Sequence, residues 1–161
     1  MKKTIITLIV VVGIAALVAG GLAIKKYHDI VTPDNILAGL LKEYEITFGD
    51  AGVKVLDEYN ENAFMDPSTV YRFSLEGGDI SGTVLDPEKM PYSTNRDTES
   101  VIGSKNELLR KADVEWRIPF DAENGVMSIH RHSYGTATRG SSDLYVIYDP
   151  DESLYYAVWI G

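Results

Sequence analysis

The chain has 161 residues, 45% of them hydrophobic and 24% charged, with 15 Lys and Arg against 24 Asp and Glu and no cysteine. That apolar content excludes a disordered or low-complexity chain. The missing cysteines exclude a disulfide scaffold, a Cys-ligated zinc or iron–sulfur site, a thiol nucleophile and a lipidated N-terminal Cys. A net charge of −9 argues against a nucleic-acid partner, since affinity for phosphate backbones comes mainly from Lys and Arg.

The average charge hides two unlike pieces. Residues 4–24 carry no charged side chain, and at about 1.5 Å per residue a helix of that length spans roughly 31 Å, close to the hydrocarbon thickness of a bilayer. Lys2 and Lys3 precede this run and Lys25 and Lys26 follow it. Residues 1–26 therefore read as an N-terminal membrane anchor. A cleaved signal sequence is the alternative, with Ala19-Gly20-Gly21 as the small residues before a cut, and it would release a small secreted domain. Setting the four lysines aside leaves 11 basic against 24 acidic side chains in residues 27–161, a net of −13. A short Met-Lys-Lys head is the usual cytoplasmic end of an export signal, so the acidic domain is expected outside the cytoplasm, on a single-pass protein of the cell membrane.

After a short polar exit, Thr32-Pro33-Asp34 has the chemistry of a helix start. Ile36, Leu37, Leu40, Leu41 and Tyr44 then recur on one face, predicting a helix over 33–45. From Glu45 the period moves toward two. Ile46 and Phe48, then Val53 and Val55, flank Gly49-Asp50-Ala51-Gly52 as in a hairpin, while a helix over 50–62 capped by Asp50 competes with it. Residues 70–75 and 80–85 flank Gly77-Gly78, the pattern of a second hairpin. Residues 86–103, with Pro87 and Pro91 and no apolar period, read as the longest irregular stretch. Ser104 and Glu107 form a capping box for a short helix to Ala112. Val114, Trp116, Ile118 and Phe120 alternate as a strand, turn chemistry at 121–125 leads into a strand over 126–134, and 144–148 and 154–160 complete an antiparallel meander. The expected fold is α+β: an N-terminal transmembrane helix, then a mainly antiparallel sheet of five to eight strands with two or three helices packed on one face.

Functional signals are sparse. No Gly-x-Ser-x-Gly elbow, Ser-x-x-Lys motif or phosphate-binding Gly loop is present, so no catalytic residue is assigned. His130 and His132 lie two apart on a predicted strand, where both rings face one side. With a carboxylate from a neighbouring strand they could bind zinc as a cofactor in a metal-dependent hydrolase. The leading expectation is instead a binding or assembly module, in contact with the membrane through residues 4–24 and with a protein partner. Aromatic residues crowd the last hairpin, and Tyr155 and Trp159, on one face of the final strand, are the candidate binding residues.

Overall fold

A computed structural model describes residues 31–61, 67–121, 125–134 and 140–161. The expected membrane span at 4–24 lies outside the described residues, as do parts of the loops expected at 121–125 and 135–142. No helix among the described residues is long and apolar enough to cross a membrane.

Helix α1, Pro33–Glu43, starts where the capping chemistry places it: the Thr32 side chain accepts the Asn35 amide at 3.2 Å and Pro33 sits in the first turn. Leu37 and Leu41 are fully buried. The helix ends in paired backbone bonds, Ile46 N–H to Leu41 O and Glu45 N–H to Lys42 O, with Glu45 at φ 57°. Helix α2, Arg96–Lys111, ends the same way, with Asp113 at φ 58° and Val114 N–H bonded to Leu109 O. Its start differs from the expected one. Asn95 is the cap and accepts the Asp97 amide at 3.0 Å, while Ser104 and Glu107 lie inside the helix. The apolar period over 96–103 is diluted because only Thr98 and Ile102 of that stretch are buried, so the expected loop is two helical turns instead.

The sheet has six strands: β1 Gly52–Glu61, β2 Ser68–Glu76, β3 Tyr92–Ser93, β4 Val126–Ser133, β5 Ser142–Asp149 and β6 Leu154–Ile160. Their order is β1-β2-β6-β5-β4-β3, and every pairing is antiparallel. The expected meander is present as β4-β5-β6, and β6 closes against β2 with Tyr71 opposite Ala157. β1 is a strand and not the competing helix; its bulge between Val55 and Asp57 leaves Leu56 exposed, and Asp34 of α1 caps the edge amide of Val55 at 2.7 Å. It pairs with β2, not with residues 46–48.

Three expected strands are absent: 46–48, 80–85 and 114–120. Residues 80–85 fold into successive turns, with Thr83 N–H on Ile80 O and Asp86 N–H on Thr83 O, and they drive Leu85 into the core. Gly78, at φ 72°, turns the chain so closely past Asp50 and Ala51 that a Cβ would lie 2.5 Å from the Ala51 nitrogen. Residues 114–120 join no ladder. The Asn106 side chain takes the place of a neighbouring strand, donating to Ile118 O at 2.9 Å and accepting from Ile118 N at 2.8 Å, and Arg117 folds back onto the Val114 and Trp116 carbonyls.

The helices cover opposite faces of the sheet, not one face as expected. Tyr155, Ala157 and Trp159 of β6 pack with Leu37 and Leu41 of α1, whereas Tyr156, Val158 and Ile160 pack with Ile102 and Leu109 of α2. A strand apolar on both sides requires this, because a bare face would leave Tyr156 and Val158 in water.

Candidate functional site

At the end of the sheet where β4 begins and β5 ends, an open cleft of about 610 Å³ is bounded by β3, the 119–121 segment and the β5–β6 turn. Tyr92, Phe120 and Tyr148 supply aromatic surface, and Tyr92 is 64% exposed and Phe120 39%. Asp121, Asp149 and Asp151 supply carboxylates, and no Lys, Arg or His lines the cleft among the described residues. Gly125 allows this closeness: at φ 77° it brings β4 so near β3 that a Cβ would lie 2.4 Å from Ser93 O. Asp149 is fixed by its own turn, accepting the Asp151 and Glu152 amides at 3.0 and 3.3 Å. An aromatic surface ringed by carboxylates in a domain of net −13 attracts cations, through the ring faces and through charge.

Neither Tyr155 nor Trp159 is on this surface: Tyr155 stands behind it against Tyr148, and Trp159 lies at the other end of β6, opposite Leu144. Tyr155 is 3% exposed; its hydroxyl donates to Leu85 O at 2.8 Å, and its ring lies 5.4 Å from Phe73 and 4.9 Å from Tyr148. Burial pushes its hydroxyl well above the usual tyrosine range. Trp159 is half-buried and donates its indole N–H to the Tyr44 hydroxyl at 3.2 Å. Alternation placed both residues on one face, but that face is the one α1 covers. Tyr155 therefore contributes to the cleft only indirectly, by backing Tyr148.

His130 and His132 do face the same side, and the carboxylate expected from a neighbouring strand is Asp143. Its Oδ1 lies 2.7 Å from His130 Nε2 and 3.0 Å from His132 Nδ1. His130 stacks on Tyr145 with centroids 4.2 Å apart, and His132 meets the edge of Tyr134 at 4.7 Å. Burial alone would raise the Asp143 carboxyl; the hydrogen bonds and charges of the two histidines outweigh it and hold the group below the usual range. Both ring nitrogens point at the carboxylate oxygen itself instead of at a shared empty centre. Among the described residues, no group of three or more His, Asp or Glu is disposed to hold a metal ion.

The cleft residues Tyr92 and Phe120 escaped the sequence reading for different reasons. Tyr92 sits in the stretch read as irregular, and Phe120 was placed on the buried face of a strand that does not form. The signal that could have found Tyr92 is its position directly after Pro91, where a lone aromatic with no apolar period has no core to join.

No family model matches the chain, and no curated protein or solved structure is similar enough to it to match.

Proposed function

We propose that the chain is a membrane-anchored binding module whose acidic domain lies outside the cytoplasmic membrane and holds a cationic group of a protein partner, a Lys or Arg side chain, in the aromatic cleft. The observation that carries the reading is the lining of that cleft, with exposed Tyr92 and Phe120 beside Asp149 and Asp151 and no basic side chain among the described lining residues. The anchor rests on the uncharged run 4–24 and on the contrast between its lysine brackets and the acidic remainder.

A tetralysine amide titrated into the full chain in neutral micelles is expected to bind saturably, more weakly as salt rises, and about tenfold more weakly to a Tyr92→Ala/Phe120→Ala variant. Binding unchanged by that double substitution would remove the cleft from the reading. Location has its own test, which the absence of native cysteine makes clean. A Ser100→Cys variant, carrying a thiol on the exposed side of α2, is expected to react with a membrane-impermeant maleimide on intact cells. Labelling seen only after permeabilisation would place the domain inside.

A further inference from the structure

A second cleft, of about 530 Å³, lies along the outer edge of β4, and its charge is the reverse of the first. Lys89, Arg131 and His130 line it together with the hydroxyl-bearing Thr47, Thr83 and Ser128, and no Asp or Glu lines it among the described residues. In a domain carrying 24 acidic side chains, a cleft whose described lining residues include two permanent cations and no carboxylate is a local reversal of the field.

The backbone explains why the edge is open there. Ser128 N–H bonds Pro91 O at 3.0 Å, the last bond between β4 and the β3 segment, and Pro91 has no N–H with which to return it. Antiparallel alternation turns the amide of His130 to the same side as that of Ser128, beyond the reach of β3. That amide, the Arg131 guanidinium and the Lys89 ammonium therefore border one space. The neighbouring carboxylates are already held by other donors: Asp86 accepts the Gly82 and Glu88 amides at 2.9 and 3.0 Å and makes only a long, 3.9 Å ion pair with Lys89, while Asp143 bonds the rings of His130 and His132. Arg131 makes a 3.4 Å bond to its neighbour's carbonyl, which leaves the fork free to turn toward a ligand.

We propose that this cleft binds a phosphate-type oxyanion, with Arg131 as a two-pronged donor, Lys89 as a point charge and the His130 amide as a neutral donor. It is separate from the cation cleft and does not depend on it. The same phosphate chemistry is offered by free phosphate esters and by anionic lipid headgroups, so the test carries both. The full chain in zwitterionic nanodiscs is titrated with inorganic phosphate and glycerol phosphate by amide NMR, and separately reconstituted with phosphatidylglycerol. Saturable shifts at Lys89, Arg131 and the His130 amide are expected, with binding about tenfold weaker for each of Lys89→Gln and Arg131→Gln and unchanged for Lys54→Gln, which lies on β1 at the opposite edge of the sheet and pairs with Glu76 of β2. Saturation by the soluble ions identifies a free phosphate ester as the source, and a response confined to phosphatidylglycerol identifies a headgroup; either supports the site. No response in any arm, or equal weakening by Lys54→Gln, overturns it. Lys89→Arg, which keeps the charge, is expected to retain binding and so separates a lost contact from a folding defect.

Discussion

Phe73→Ala is expected to destabilise the domain by about 3–5 kcal/mol, the range for removing a fully buried aromatic side chain, and to lower Tm by on the order of 10–20 °C. Phe73 has no exposed surface. It sits in β2 opposite Val55 of β1 and Tyr155 of β6, and its ring stacks on that of Tyr155. Truncation would leave a cavity under α1 that Leu37 and Leu41, held by the helix, cannot fill by rotation alone. It would also unseat Tyr155, which ties the sheet to the 80–85 turns through Leu85 and backs Tyr148 in the cation cleft. Chemical denaturation of the two proteins checks the size of the loss. A difference under about 1 kcal/mol would mean that the α1 face of the sheet is not the core described here. Phe120→Ala is the informative contrast: its ring is partly in water already, so its removal acts on binding far more than on stability.

What the sequence reveals of this fold depends on how local the cause is. Thr32 and Pro33 cap α1 within four residues of the bonds they make, and β4, β5 and β6 are neighbours in the sheet in the order they have in the chain, so both are legible from the local sequence. The failures lie where a distant partner decides. Val114 to Phe120 alternates like a strand, yet its only ladder-like bonds come from the side chain of Asn106. Residues 80–85 carry a strand composition, but β2 already has β1 and β6 on its two sides and offers no third edge. The same strand order settles the double-sided aromatic pattern of β6: a strand flanked by β2 and β5, with a helix over each face, is apolar on both sides because it is central. The aromatic pattern that makes Tyr155 and Trp159 look like a recognition surface is the one that buries Tyr155 and half-buries Trp159 under α1. The exposed aromatics of the cleft lie on segments without a period, where pattern reading has least to work with.

The second large effect is expected at Lys105, the one buried lysine among the described residues. Its ammonium donates to Ser68 Oγ at 2.7 Å and to Glu61 Oε2 at 3.1 Å, and Ser68 donates to the same carboxylate at 2.9 Å, so three side chains join the middle of α2 to the ends of β1 and β2. Lys105→Met keeps the apolar stem and removes the charge. It is expected to cost about 2–3 kcal/mol at pH 7, somewhat below the range for breaking a fully buried pair because Glu61 keeps partial contact with water. Burial by itself would raise the Glu61 carboxyl; the hydrogen bonds from Lys105 and Ser68 and the charge of Lys105 outweigh it, and the net shift is downward from 4.5. A carboxyl held lower in the folded than in the unfolded chain adds stability above the unfolded value and loses it as pH falls through the folded one. The gap between wild type and Lys105→Met is therefore expected to be full at pH 7, to narrow as pH drops below about 4.5, and to close once Glu61 is protonated in both. Adding Glu61→Gln to Lys105→Met should recover much of the loss at neutral pH, because the stranded carboxylate is then gone. A gap that stays constant from pH 7 to pH 3, or a double variant no more stable than the single, would show that Lys105 acts through its methylene packing and that the Glu61 charge plays no part in holding α2 to the sheet.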